Sequence, residues 1–402
     1  MGILHGTIVE ETTGEKLDAK VHVLNAMGNF SHPHNSLLKR GPGTQFFFSD
    51  GEFETRGSRG RTDILVERGT EYEPYRTTVE LPEKGCVDIE IPLRRWHHPQ
   101  ERHWYPGNTH IHYDENEKQP DRRLGVDCSV EGYNVTCVSV LDRRQLPYAS
   151  NKYPIGVMNE FKTAHHVLDI GEENRHYGDN SPWGFGYGHV MFLNIRNLVQ
   201  PISRGHTLTG QFDPDYPPLC FCCDEARDQG GLVIWCHNGR GMEAPIAAAL
   251  GKLDAFNLFD PFWMDPEYDL WYKLLNCGLH LPASTGTDWF VCSNNRVYVQ
   301  TENDFSYANW IDGMKAGRTF ITNGPAVDLK LNEQPMGATV EFDGDKPLEA
   351  QITFSSYYPI ERVELVVDGQ VVQRWQWPEG RREGEIRHDF NTEHDGWVAV
   401  RL

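Results

Sequence analysis

Short apolar runs alternate with helix-like segments between about Gly107 and Gly324, and this rhythm most limits what the chain can fold into. The run at 231–236 is typical of a buried strand, whereas Pro245 to Lys252 and Asp269 to Cys277 have helical character. Strands that alternate with helices favour a parallel sheet or barrel, with function at the carboxyl ends of the strands. The pattern therefore predicts an α/β fold with a barrel over residues 104–328.

Both ends of the chain have the alternation of β-structure instead. Near the start, Gly6 to Val9 and Ala19 to Val23 are strand-like pieces separated by turn residues. Near the end, Val363 to Val367 is followed by the turn Asp368-Gly369 and another strand-like piece. These patterns predict a β-sandwich over residues 1–103 and a second one over residues 329–402.

Charge and hydropathy restrict the partners. The formal net charge of −20 argues against nucleic acid, which needs clustered Lys and Arg, and no apolar run approaches the roughly eighteen residues of a membrane span. We expect a small-molecule substrate, no nucleic acid and no membrane, with the oligomeric state left open. The beginning of the chain lacks the pattern of a secretory signal, which favours the cytoplasm, although a processed exported form would look the same.

Nine cysteines are an odd number, so at least one cannot pair within the chain. Five of them stand singly in apolar surroundings and are predicted to be buried free thiols: Cys86, Cys128, Cys137, Cys277 and Cys292. This usage is typical of a reducing compartment.

The first candidate metal ligands are His110 and His112. In an extended strand, residues two apart point to the same side, so both imidazoles can reach one ion. Further candidates stand where predicted strands begin or end, and these are Glu173, His189, His237 and Asp288. Each one alone is more typical of ordinary turn or hydrogen-bonding roles. Strand ends of a barrel converge, however, and four imidazoles with two carboxylates suit Zn, Mn or Fe better than Mg or Ca.

The order of these residues resembles the polymerase-and-histidinol-phosphatase (PHP) metallohydrolase superfamily, and within it the carbaryl-hydrolase-like branch. The opening Gly6-Thr7-Ile8-Val9 with Thr13-Gly14-Glu15 is similar to the carboxypeptidase-regulatory-like sandwich that precedes that catalytic domain. The stretch from Gly317 to Pro325 is similar to one that closes it. The resemblance implies a distorted (β/α)7 PHP-type barrel flanked by the two sandwiches.

The resemblance also assigns roles to particular residues. It places the first ion on His110, His112 and Asp288, the bridging carboxylate on Glu173 rather than Glu172, and the second ion on His189 and His237. The family's third site would fall near Lys118, Arg143 and Phe290, which are not its usual histidines. One or two divalent ions are therefore expected.

The function implied is that of a metal-dependent hydrolase, in which activated water attacks an ester, carbamate or amide bond. Asp288 is the expected proton acceptor, and Arg143 and Arg240 are candidates for stabilising negative charge, although Arg143 could equally pair with Asp142. Two alternatives stay open at this point. One is a phosphoesterase that uses both arginines as phosphate clamps, and the other is a non-catalytic metal- or carbohydrate-binding protein with a degenerate pocket.

Overall fold

The computed structural model describes residues 1–41, 44–113, 117–140, 149–177, 187–200, 204–205, 218–237, 241–259, 268–288, 292–342, 344 and 346–402. The chain divides into two compact units. The first comprises residues 1–99 with 118–133, and the second comprises residues 100–117 with 134–402. The predicted domain boundaries at 103 and 328 stay predictions.

The first unit consists of two sheets and one helix. Its strands are β1 (Gly2–Glu10), β2 (Ala19–Leu24), β3 (Leu38–Gly41), β4 (Thr44–Ser49), β5 (Glu52–Gly57), β6 (Gly60–Glu67), β7 (Tyr75–Leu81) and β8 (Cys86–Leu93). The sheet orders are β5-β1-β8 and β3-β4-β2-β6-β7. Strand alternation buries one face of each sheet, and Leu4, Val21, Ile64 and Ile91 contribute to a single core.

The helix of the first unit is α1 (Pro120–Glu131). Pro120 begins it, where a missing backbone N–H has no intrahelical role, and Gly132 ends it in the left-handed conformation at φ 70°. Lys20 of β2 donates to the buried Glu131 carboxylate at 2.6 Å, which ties the helix to the larger sheet.

The main sheet of the second unit is formed by β9 (Trp104–Ile111), β10 (Val135–Val140), β11 (Gly156–Val157), β12 (Val167–Tyr177), β13 (Gly188–Leu193), β14 (Arg204–Gly205), β15 (Leu232–Trp235), β16 (Ala255–Phe259), β17 (Ala283–Thr285), β18 (Arg296–Gln300) and β19 (Thr319–Thr322). Its order is β17-β16-β15-β13-β12-β10-β9-β18-β19, with β11 and β14 against β12. A parallel bridge between Ile111 and Asp288 joins β9 to the chain just after β17 and nearly closes the sheet into a barrel.

Four helices accompany this sheet in the described residues: α2 (Leu219–Asp228), α3 (Ala244–Ala249), α4 (Asp269–Asn276) and α5 (Tyr307–Lys315). Helices α2, α3 and α4 share a hydrophobic core with Trp235 of β15 and other side chains on the same face of the sheet. Trp310 of α5 instead packs with Met191 and Ile234, whose side chains lie on the opposite face of the sheet. Short 3-10 helices span Pro99–Arg102, Ala149–Lys152 and Asn159–Phe161.

The remaining strands form a five-stranded sheet. They are β20 (Ala326–Leu331), β21 (Gln334–Pro335), β22 (Leu348–Val367), β23 (Gln370–Phe390) and β24 (Val398–Arg401). The long pair β22 and β23 is joined at Asp368 and Gly369, both of which have positive φ. This is the geometry that a tight hairpin turn requires.

The predicted fold class, α/β with a (β/α)7 barrel, is wrong. The described chain is mostly β, and its barrel sheet is mixed: β13 is antiparallel to both β12 and β15, and β18 is antiparallel to both β9 and β19. Residues of β13 and β15 are buried on both faces. Such strands have continuous apolar sequences whether they are parallel or antiparallel, so the pattern could not distinguish the two.

Among the described residues, no helix combines the length and the apolar composition needed to cross a membrane. All nine cysteines are free thiols. Cys86 and Cys277 are exposed rather than buried, because each lies in or beside an element whose side chains there face solvent.

Candidate metal centre

The six predicted ligands reach one end of the barrel sheet by different routes. His110 lies in β9 and His112 follows directly after it, while His237 and Asp288 lie just beyond the carboxyl ends of β15 and β17. Strand β13 runs the opposite way, so its second residue, His189, lies at that same end. The antiparallel strand that contradicts the predicted barrel is thus what brings His189 to the site.

Four donor atoms form a compact first group, made of His110, His112, Glu173 and Asp288. His110 Nε2 lies 3.2 Å from His112 Nε2, 3.2 Å from Asp288 Oδ1 and 3.4 Å from Glu173 Oε2. His112 Nε2 lies 2.7 Å from Glu173 Oε2 and 3.6 Å from Asp288 Oδ1. A tetrahedral ion with bonds of about 2.0–2.1 Å holds its donors about 3.3–3.4 Å apart. Four of these five distances are close to that spacing, and the contact between His112 and Glu173 is shorter.

A second group shares the same glutamate. Glu173 Oε1 lies 3.0 Å from His189 Nδ1 and 3.4 Å from His237 Nε2. His237 Nδ1 is 3.9 Å from Asp288 Oδ2, which links the second group to the first. Glu173 therefore directs one carboxylate oxygen to each group, as a residue bridging two ions would.

The orientation of His112 leaves its Nε2 facing the other donors of the first group. His112 Nδ1 lies 2.9 Å from the Ser139 carbonyl oxygen, which can only accept, so this nitrogen carries the proton. In the neutral ring Nε2 then has only a lone pair, yet it faces a glutamate oxygen at 2.7 Å. Two acceptors at this distance need either a proton or a metal ion between them. A single ion satisfies all four donors of the group, so the cluster could hold a metal ion.

The site is buried, so charges within it interact more strongly than they would in water. All six residues are at most 5% exposed. Burial by itself raises the pKa of Glu173, but the charge of His110 and hydrogen bonds from His110, His112 and His189 outweigh it and hold the pKa well below its usual range. These contacts therefore favour the ionised form of the carboxylate.

Two of the ligands have unusual backbone conformations. His237 has φ 53° and Asp288 has φ 61°, which is the left-handed region that side chains with a Cβ seldom adopt. Such conformations cluster at functional sites because the surrounding structure enforces them. Hydrogen bonds from His112 N to Asp288 O and from Asp288 N to His110 O fix the second of these turns against β9.

Glu172 and Glu173 point to opposite faces of β12. Successive strand residues point to opposite faces, and Glu173 lies among the histidines. Glu172 faces away from them, where it accepts hydrogen bonds from Val199 N and Asn174 Nδ2.

Two further residues belong to the site and were missed from the sequence. Arg175 donates to Glu173 Oε2 at 2.5 Å and is itself buried. Asn108 accepts from the backbone N–H groups of His110 and Thr287. Both stand two residues from a predicted ligand in the same strand, so the period-two spacing that pairs His110 with His112 could have found them.

The structure describes only some of the other residues named from the sequence. Arg143, Arg240 and Phe290 lie outside the described residues. Tyr113 is buried directly after His112, and Lys118 is exposed.

Gly286 lies in the chain before Asp288 and approaches the backbone of His110 closely. A Cβ at this position would lie 2.6 Å from His110 N and 2.5 Å from His110 Cβ, so the Asp288 turn and β9 must separate in Gly286→Ala. We expect a loss of about 3 kcal/mol in the free energy of unfolding and about tenfold weaker metal binding, measured by denaturant titration and calorimetry. Gly324→Ala is the matched control, because its Cβ would meet no atom within 4 Å. Equal behaviour of both variants would show that the close approach is unimportant.

Comparisons with known proteins add little to this geometry. No family model matches the chain, and no curated protein matches its sequence. The minor pilin GBS52 of Streptococcus agalactiae is 16% identical over 24% of this chain and 46% of its own, with a TM-score of 0.20. The Bacillus anthracis TIE protein is 13% identical over 29% of this chain and 19% of its own, with a TM-score of 0.18. The chain thus spans less than half the length of either structure, and similarity at this level supports no conclusion about fold or function.

Proposed function

We propose that this protein is a metal-dependent hydrolase acting on an ester, carbamate or amide bond of a small molecule. The observation that carries the proposal is the first donor group, in which two imidazoles and two carboxylates approach one another at the spacing of ligands on a single ion. Buried charges are costly without compensation, and a bound cation would offset the charge of the two carboxylates.

The ion proposed is Zn, Mn or Fe, with one or two bound per chain. The donors include four histidines, and imidazole nitrogen favours these metals, whereas Mg and Ca favour oxygen. The order of the ligands along the chain, with paired histidines first and an aspartate last, supports our further proposal of kinship with the PHP metallohydrolases.

When bound, such an ion supplies a water molecule of lowered pKa and polarises the oxygen of the bond under attack. The protein's own residues do the rest. Glu173 presents one oxygen to each donor group, and the hydrogen bond from His112 Nδ1 to Ser139 O keeps Nε2 facing the site. Asp288 Oδ1 lies against His110, and we assign the water's proton to the second oxygen, Oδ2.

The substrate class is tested by metal removal and add-back. The protein is treated with a chelator, dialysed, and assayed with nitrophenyl esters and nitrophenyl phosphate before and after adding Zn²⁺ or Mn²⁺. We expect ester hydrolysis to fall at least a hundredfold on chelation and to return with the metal. Phosphate hydrolysis alone would favour the phosphoesterase alternative, and hydrolysis that ignores the chelator would reject a metal mechanism.

A further inference from the structure

Strand β9 contains one extra residue just before the proposed ligands. Residues 108–111 of β9 span the same length of ladder as residues 136–138 of β10. Successive side chains of a regular strand point to opposite faces, but those of Asn108 and Thr109 both reach residues 284–287. This is a β-bulge, a feature that often lies beside active sites and redirects a side chain there. The bulge turns two consecutive side chains of β9 toward β17 and the segment that follows it.

The amide of Asn108 contacts two parts of the proposed metal centre. Its Oδ1 accepts hydrogen bonds from His110 N at 3.2 Å and from Thr287 N at 3.1 Å. Its Nδ2 donates to Thr287 Oγ1 at 2.8 Å, and the side chain is fully buried. The first contact holds a ligand directly, and the other two hold the residue before Asp288. We propose that Asn108 is a positioning residue that sets His110 and Asp288 relative to each other, an inference that rests on the proposed metal-dependent function.

Backbone hydrogen bonds alone hold the Asp288 turn less firmly. Thr287 N and Asp288 N both donate to the carbonyl oxygen of His110, at 2.8 and 2.7 Å, and His112 N donates to Asp288 O at 2.9 Å. None of these three bonds involves the side chain of Thr287. The Asn108 amide attaches that side chain to β9 as well, so rotation of the turn about the His110 oxygen would break the attachment. Asp288 has a left-handed backbone, which persists where the surrounding structure enforces it.

A displaced proton acceptor slows the reaction even in a folded protein that binds metal. A shift of about 1 Å at a reacting group costs about a hundredfold in rate. The loss of a residue that orients a ligand also weakens metal binding, by about tenfold or more. We therefore expect removal of the Asn108 amide to lower kcat about a hundredfold at saturating metal and to alter the coordination geometry of a bound ion. A role in stability alone would change neither.

The test compares Asn108→Ala and Asn108→Asp with the control Asn134→Ala. Asn134 is also buried and donates from Nδ2 to the carbonyl oxygen of His165, but it precedes β10, at the opposite end of the sheet from the site. Each protein is loaded with Co²⁺, whose visible spectrum reports coordination geometry, titrated with Mn²⁺ in a calorimeter, and assayed with nitrophenyl esters at saturating metal.

We expect the hundredfold fall in kcat and a changed Co²⁺ spectrum in Asn108→Ala, and a loss of stability alone in Asn134→Ala. Asn108→Asp should stay within about tenfold of wild type. Its carboxylate keeps the oxygen that accepts from both N–H groups, and the Thr287 hydroxyl can donate to the other oxygen.

The outcomes separate this inference from the proposed function. A wild-type kcat and Co²⁺ spectrum in Asn108→Ala, equal changes in Asn134→Ala, or no recovery in Asn108→Asp would overturn the positioning role and leave the metal centre intact. Wild type that binds neither Co²⁺ nor Mn²⁺ would overturn the proposed function itself. Thermal unfolding shows whether Asn108→Ala is folded. If it is not, Thr287→Val serves, because it keeps the shape, removes the hydroxyl that accepts from Asn108, and should lower kcat about tenfold.

Discussion

Glu173→Gln is expected to abolish binding of both ions and to lower kcat/KM for hydrolysis by about a thousandfold or more. Among the described residues, Glu173 is the one that contributes to both donor groups. The amide keeps nearly the same shape but removes the negative charge that draws a cation into a buried site. It also replaces one oxygen with an NH₂ group, which repels a metal ion. Metal analysis of the purified variant and steady-state kinetics measure the two effects.

The adjacent glutamate provides the control. Glu172→Gln removes the same charge one residue earlier, on the opposite face of β12. There the carboxylate accepts hydrogen bonds from Val199 N and Asn174 Nδ2. We expect it to lower stability by about 1–3 kcal/mol and to leave the ion count unchanged. If Glu173→Gln kept its ions, or if both variants lost them alike, Glu173 would not be the bridging ligand.

Asp288→Asn is expected to lower kcat by about a thousandfold even when enough metal is added to saturate the site. Asparagine tolerates the left-handed backbone at φ 61°, so the turn beside β9 should persist. The amide can still offer an oxygen to an ion but cannot accept the proton of water. A fall in kcat at saturating metal therefore isolates the proton transfer, whereas weaker binding alone would change only the metal concentration required.

The control for this substitution lies in the β22–β23 turn. Asp368 also has a left-handed backbone, with φ 49°, and its side chain accepts a hydrogen bond from Trp397 N. Asp368→Asn should leave kcat unchanged. Activity of Asp288→Asn within tenfold of wild type at saturating metal would reject Asp288 as the proton acceptor.

The sequence was most informative where local spacing carries chemistry. The two-residue separation of His110 and His112 was enough to place both rings on one side of a strand, and their Nε2 atoms do lie 3.2 Å apart. The choice of Glu173 over Glu172 came from the family resemblance alone. All six predicted ligands meet in the structure.

Strand direction and long-range partners were not predictable in this way. Val190 to Leu193 has the same apolar character as a parallel strand, because it is buried on both faces, and so its antiparallel pairing was missed. Arg175 was overlooked because an arginine in a strand usually indicates a solvent-facing position, and its burial depends on a partner carboxylate. The left-handed backbones of His237 and Asp288 arise from contacts with other strands rather than from their own sequence.

The central claim is that His110, His112, Glu173 and Asp288 bind one ion, and crystallography at the absorption edge of zinc tests it most directly. Crystals grown with Zn²⁺ should show an anomalous peak about 2.0–2.3 Å from His110 Nε2, His112 Nε2 and an oxygen of each carboxylate. An absence of any peak among these four residues, at a zinc concentration that saturates binding in solution, would contradict the account.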